Sequence, residues 1–65
     1  MKAVYDTKMD IFTLVLAPGP VVESDEQKPG VILDYDADGN LIGLEVLDAS
    51  KRITETRTMN FQVAG

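Results

Sequence analysis

The chain has 65 residues, of which 45% are hydrophobic, and a formal net charge of −5 at pH 7. It contains neither cysteine nor histidine, which excludes disulfides, thiolate metal sites and the usual zinc sites, and removes the commonest general base. The six basic residues are scattered, so we expect no nucleic acid as partner. No apolar run approaches the ~20 residues of a membrane span, so we expect no membrane as partner and one small cytoplasmic domain.

The first half of the chain is predicted to contain three strands. Lys2–Tyr5 begins the first strand, and the turn-forming run from Asp6 to Asp10 ends it. Residues 11–16 are apolar except for Thr13, which is typical of a strand that is apolar on both faces. The pattern then predicts a break at residues 17–20, a third strand at residues 21–24 and a polar turn at residues 25–30.

A hairpin is predicted between Val31–Tyr35 and Leu41–Leu47, because the pair Asp38-Gly39 between two apolar runs is a strong hairpin signal. A two-residue loop formed by this pair sets Leu33 opposite Leu44. A four-residue loop moves the pairing by two rungs and keeps the same large residues on one face. A three-residue loop mixes the two faces and is disfavoured.

The end of the chain is predicted to hold a short helical turn and a separate extension. From Asp48 to Arg52 the residues favour a helical turn, with Asp48 accepting hydrogen bonds from the backbone N–H groups that follow it. From Thr56 onward polar and apolar residues alternate, which is typical of a strand that completes its own sheet or adds to a partner's edge. The alternative is a mobile tail. We therefore divide the chain into a β domain at residues 1–53 and a C-terminal extension at residues 54–65, an extra strand or an exchanged arm.

These elements predict a mostly β fold, a small antiparallel sheet of about five strands with one short helical turn after Leu47. A domain of this length buries only about 60% of the surface that its unfolded chain exposes, so a partner subunit is the expected remedy for its small core. The predicted core positions are Val4, Phe12, Leu14, Leu16, Val31, Leu33, Tyr35, Ile42, Leu44 and Val46.

An acidic run in the predicted hairpin matches the calcium-loop pattern of an EF-hand. Asp34, Asp36 and Asp38 stand at the first three ligand positions, Gly39 at the invariant glycine and Glu45 at the final glutamate. The flanking residues favour strands rather than helices, so we interpret the run as a turn and predict no metal site. The alternative is a weak calcium- or small-ligand-binding module that uses the Asp34–Glu45 segment.

No catalytic residue and no cofactor are predicted. Ser50 has no histidine to activate it, and its place after Asp48 suits a capped turn. A chain of this size also has little volume for a pocket of ~300 Å³. We therefore expect a homo-oligomeric protein-interaction or regulatory module rather than an enzyme. Its acidity would suit a basic protein partner, for example in an antitoxin-like role.

Five motifs, taken in order, resemble the family catalogued as domain of unknown function 2283. They are Tyr5-Asp6, Asp10 before the apolar run, Pro29-Gly30-Val31, Asp34-Tyr35-Asp36 with Asp38-Gly39, and the run from Gly43 to Ser50. The resemblance covers about residues 1–53. It implies a small, mostly antiparallel β protein of prokaryotes or their viruses in which the Asp-rich segment is a turn. No activity is assigned to the family, so the resemblance implies no catalytic or ligand residue.

Overall fold

The computed structural model describes all 65 residues, which form one antiparallel sheet of five strands and a short helix. The elements are β1 (Lys2–Asp6), β2 (Ile11–Val15), β3 (Glu23–Lys28), β4 (Val31–Tyr35), β5 (Leu41–Leu47) and α1 (Ala49–Arg52). Their spatial order is β1-β2-β5-β4-β3, so β1 and β3 are the edges of the sheet. The mostly β fold class predicted from the sequence is therefore confirmed. The helix has four residues, and nothing helical in the molecule is long and apolar enough to cross a membrane.

The third strand is not where the sequence predicted it. A strand was expected at residues 21–24 and a polar turn at residues 25–30, but β3 extends to Lys28 and the turn is confined to Pro29 and Gly30. All six residues of β3 are exposed. Such a strand lacks the apolar alternation by which strands are recognised, and its charges instead discourage pairing with other chains at the sheet edge.

The β4–β5 hairpin has a three-residue loop, the length that the sequence pattern disfavours. The N–H of Asp36 donates to the carbonyl oxygen of Asn40 at 3.0 Å, and the N–H of Gly39 donates to the carbonyl oxygen of Asp36 at 3.1 Å. Gly39 has a φ of 80°, a left-handed conformation in which glycine avoids the steric cost that a Cβ atom brings. The predicted loop lengths of two and four residues were therefore both wrong, although the glycine that shapes the turn was identified.

A bulge explains why the predicted pairing survives the unexpected loop. Tyr35 pairs with Leu41, whereas Leu33 pairs with Leu44 as predicted, so Ile42 is an extra residue between the two rungs. The odd loop shifts the pairing by one residue, and the bulge shifts it back. Bulges commonly adjust a register in this way, and here the adjustment keeps the large residues of both strands on one face.

The two faces of the sheet differ in composition. Cross-strand partners lie on the same side, so the registers assign each residue to a face. The residues of the apolar face are Ala3, Tyr5, Phe12, Leu14, Val31, Leu33, Tyr35, Leu44 and Val46, bordered by Glu23, Asp25 and Lys28 of the edge strand β3. The opposite face, called the mixed face below, carries Lys2, Val4, Ile11, Thr13, Val15, Ser24, Glu26, Ile32, Asp34, Gly43, Glu45 and Leu47.

The core is smaller than predicted because the sheet has no complete second layer. Only five of the 65 residues are buried, and the apolar side chains among them are Ile42, Val46 and Ala49. Val4 is 43% exposed on the mixed face, since it pairs with Thr13, and its assignment to the core was wrong. The other predicted core positions are half-buried, namely Phe12, Leu14, Leu16, Val31, Leu33, Tyr35 and Leu44.

The C-terminal extension adds no strand to the sheet of its own chain. Residues 54–65 form neither helix nor strand, and none of them makes a backbone–backbone hydrogen bond. Beside Tyr5 and Phe12 the start of the segment borders an open crevice of about 320 Å³, and Phe61 borders a second crevice with Met1. The segment therefore runs antiparallel to β1 and lies over the β1–β2 part of the apolar face.

Candidate functional site

Asp10 joins the first hairpin to the helix. Its carboxylate accepts hydrogen bonds from the Tyr5 hydroxyl at 2.8 Å, the Ser50 N–H at 3.0 Å and the Ser50 hydroxyl at 2.7 Å. Its backbone carbonyl accepts a fourth bond, from the N–H of Ala49 at 2.9 Å. The bonds from Ser50 and Tyr5 hold the pKa of Asp10 below its ordinary value, because they stabilise the ionised form. Asp10 therefore fixes where the helix begins.

The predicted cap of the helix is thereby corrected. Asp48 precedes α1 but makes no side-chain cap bond, and its φ is 51°. The N–H groups that Asp48 was expected to satisfy are those that Asp10 satisfies from another part of the chain. Sequence spacing could not show this link, because Asp10 and Ser50 are 40 residues apart. The one indication was that both residues belong to the motifs of the family resemblance.

Asp36 is occupied by the turn in which it stands. Its carboxylate accepts from the N–H of Asp38 at 2.9 Å, the N–H of Asn40 at 2.9 Å and the side-chain amide of Asn40 at 3.1 Å. These bonds, led by that of the Asn40 amide, lower the pKa of Asp36. The predicted role of the acidic run as a turn agrees with this geometry, in which the carboxylate replaces backbone partners that the tight loop lacks.

Asp34 and Glu45 are the two acidic residues of the segment that meet. Asp34 is only 6% exposed and accepts a hydrogen bond from the Ser24 hydroxyl at 2.6 Å. It leans over Gly43, where an added Cβ would lie 3.1 Å from its Oδ2 atom, so the missing side chain makes room for the carboxyl. A hydrogen bond with Asp34, together with burial, raises the pKa of Glu45. The neutral form of the Glu45 carboxyl is therefore favoured beside Asp34 on the mixed face.

The four candidate calcium ligands do not converge. Asp34 and Glu45 lie on the mixed face, whereas the carboxylate of Asp36 is held inside the turn and Asp38 is exposed. No group of three or more His, Cys, Asp or Glu side chains is placed to hold a metal ion. Because a calcium ion takes about six to eight oxygen ligands, this arrangement lends no support to the alternative calcium interpretation.

We expect Glu45→Gln to raise the melting temperature at neutral pH by about 2–5 °C and to change it little near pH 3. A carboxyl whose pKa is raised in the folded chain holds its proton more tightly there than in the unfolded chain. Stability therefore falls as the pH rises from the unfolded pKa through the folded one. Glutamine keeps the shape and supplies a permanent N–H donor to Asp34. Circular dichroism melts across this pH range would measure the difference.

Glu23→Gln is the matched control for that substitution. It removes the same charge from the exposed strand β3, away from the Asp34–Glu45 pair. We expect its effect on the melting temperature to be small and similar at both pH values. Equal stabilisation by the two substitutions would assign the gain to the net charge of −5 rather than to the carboxyl pair.

The apolar face is a further candidate site, because no complete second layer covers it. The chain exposes 5018 Å² of solvent-accessible surface, whereas a folded monomer of 7.1 kDa is expected to expose about 4,000 Å². The excess of about 1,000 Å² is close to the ~800 Å² that each partner contributes to an interface of standard size. With extents of 34 × 32 × 19 Å, the molecule is a flat slab, as expected when one sheet lacks a covering layer.

Comparison with known proteins assigns the chain to a family. Residues 2–50 match the family model described as "Protein of unknown function (DUF2283)". No curated protein and no solved structure matches the chain. The matched region contains all five strands and the residues Asp10, Asp34, Asp36 and Ser50, whose hydrogen bonds organise the fold. The match covers well over half of the sequence and confirms the resemblance seen in its motifs, and the chain therefore belongs to the DUF2283 family.

Proposed function

We propose that the chain is a homo-oligomeric protein-interaction module, with a regulatory rather than a catalytic role. The observation that supports this proposal is the apolar face, which has no complete second layer within the chain. A sheet with one apolar side is stable in water only when that side packs against another layer. A second copy provides such a layer, and closed twofold dimers are the commonest solution among soluble proteins.

An acidic surface supports a basic protein as the second binding partner. Glu23, Asp25 and Glu26 stand on the exposed edge strand β3, in a chain whose net charge is −5. Charge complementarity of this kind accelerates encounter and selects partners. An antitoxin-like role, in which a small acidic protein neutralises a basic one, is the regulatory form of the proposal.

The residues with the most hydrogen bonds favour this proposal over an enzyme. Asp10 and Ser50 bind each other and the first turn of the helix, and Asp36 binds its own turn. A catalytic carboxylate or hydroxyl must face a substrate, whereas these groups are engaged within the fold.

The experiment that tests the proposal is the oligomeric state of the purified chain. We expect native mass spectrometry and sedimentation velocity to give a dimer or a higher even multiple that dissociates on dilution. Because the expected interface is apolar, added salt should leave the association unchanged or strengthen it, whereas salt weakens association between exposed charges. A monomer at every concentration would contradict the proposal.

A further inference from the structure

We propose that residues 54–65, called the C-terminal arm below, pass to a second copy in the homo-oligomer and pack on its apolar face. The contact is made by the stripe of Met59, Phe61 and Val63. This inference rests on the proposed homo-oligomer and adds the segment with which each copy covers part of the apolar face of its neighbour.

The arm is poorly held by its own chain. None of its residues makes a backbone–backbone hydrogen bond. Met59, Phe61 and Val63 are 55%, 68% and 87% exposed, so exposure rises toward the end of the chain. An ordered segment must offset the loss of conformational freedom, and a segment with unpaired backbone and exposed apolar side chains has little to offset it. On their own sheet these side chains remain largely in water.

The cation–π interaction that holds the arm on its own sheet lies near its start. The guanidinium of Arg57 lies 5.9 Å from the centre of the Tyr5 ring, within the range of a cation–π interaction. Beyond Arg57 the arm borders a second open crevice, of about 220 Å³, between Phe61 and the start of β1. The arm is therefore anchored near residue 57 and loosely packed after it.

The composition of the arm suits burial between two copies. No charged side chain follows Arg57, although charged residues make up 26% of the chain. Two copies that each carry a charge of −5 repel one another, so an uncharged segment is the part that can approach the other copy at the lowest electrostatic cost. Its apolar residues occupy alternate positions, which gives an extended segment one apolar side.

The arm is long enough to reach a second copy. Beyond its anchor at Arg57 the arm has eight residues, which span about 28 Å when extended, compared with a longest dimension of 34 Å for the whole chain. The target is the β4–β5 part of the apolar face, which the arm of the same chain leaves uncovered and where Leu33 and Leu44 are half-buried. By twofold symmetry each copy would give one arm and receive one, as in domain exchange.

Disulfide capture tests the inference without interference, because the chain contains no cysteine. Isotope-labelled Phe61→Cys protein is mixed with unlabelled Leu33→Cys protein, and the mixture is equilibrated under reduction and then oxidised. Since the two cysteines are on different chains, a mixed disulfide reports only a contact between copies. The control replaces Leu33→Cys by Val4→Cys, which places the thiol on the mixed face at a position that is 43% exposed.

We expect the mixed disulfide with Leu33→Cys to exceed that with Val4→Cys at least about fivefold, because a disulfide needs Cα atoms within ~7 Å. Equal yields from proteins that remain dimeric would overturn the exchange of arms and leave the homo-oligomer intact. Monomers throughout would overturn the homo-oligomer, and the inference with it.

In a cysteine-free chain, replacing Met59, Phe61 and Val63 by serine should raise the dissociation constant of the oligomer about tenfold or more, and an unchanged constant would also overturn the inference.

Discussion

Asp10→Ala is expected to lower the melting temperature by about 10 °C or more, because several hydrogen bonds that join separate parts of the fold are lost together. The alanine leaves the Tyr5 hydroxyl without its acceptor, and both donors of Ser50 as well. It must also adopt a φ of 56°, a left-handed conformation that aspartate tolerates better than alanine does. Thermal melts followed by circular dichroism would measure the loss.

The pH dependence of this effect follows from the depressed pKa of Asp10. A carboxylate with a lowered folded pKa contributes stability that is fully present above its unfolded pKa, about 3.9, and is lost as the pH falls through the folded value. We therefore expect the difference between the parent and Asp10→Ala to be largest near neutral pH and to shrink on strong acidification. A difference that stays constant down to low pH would assign the loss to backbone conformation alone.

Three further substitutions separate the contributions at this position. Tyr5→Phe removes the bond of the Tyr5 hydroxyl to Asp10, and Ser50→Ala removes that of the Ser50 hydroxyl, so each should lower the melting temperature by less than Asp10→Ala does. Asp38→Ala is the control, because it removes an exposed carboxylate from the other turn without removing a side-chain hydrogen bond. A loss for Asp38→Ala as large as that for Asp10→Ala would contradict the role assigned to Asp10.

The fold was predictable where the sequence pattern is local. Strands β4 and β5 begin and end at the residues expected, because apolar runs on both sides of Asp38-Gly39 carry a hairpin signal over a short distance. Strand β3 was misplaced because its side chains all face solvent, so hydrophobicity marks no side of it. Its position is set instead by pairing with β4, which is a tertiary interaction.

At the candidate sites, hydrogen bonds between residues close in the sequence were predictable, and those between distant residues were not. Asp36 bonds to residues within four positions of itself, so its role in the turn could be inferred from the sequence. Asp10 bonds to a residue 40 positions away, and no spacing rule connects them. The burial of Ala49 beneath this contact was missed as well, because a lone alanine carries no hydrophobic pattern.

Leu33→Lys is expected to raise the dissociation constant of the homo-oligomer about 100-fold or more. The substitution places an ammonium group in an apolar interface, where the other copy offers no opposite charge to pair with it. Leu33 is at the centre of the uncovered part of the apolar face, between Leu44 and Asp25 on the neighbouring strands. In the free chain the lysine is tolerated, since its half-buried position leaves the ammonium in water and beside the carboxylate of Asp25. The measurement is sedimentation velocity over a range of concentrations.

Lysine makes this test stringent, because it lowers the net negative charge of each copy and thereby reduces the repulsion between them. A weaker association then cannot result from added like-charge repulsion. Val4→Lys makes the same charge change on the mixed face, at a residue that is 43% exposed, and should leave the dissociation constant within about threefold of the parent value. If both variants dissociate equally, the interface is not the apolar face. If Leu33→Lys alone dissociates and keeps the far-ultraviolet spectrum of the parent, the apolar face holds the copies together, because the same charge change on the mixed face leaves the association intact.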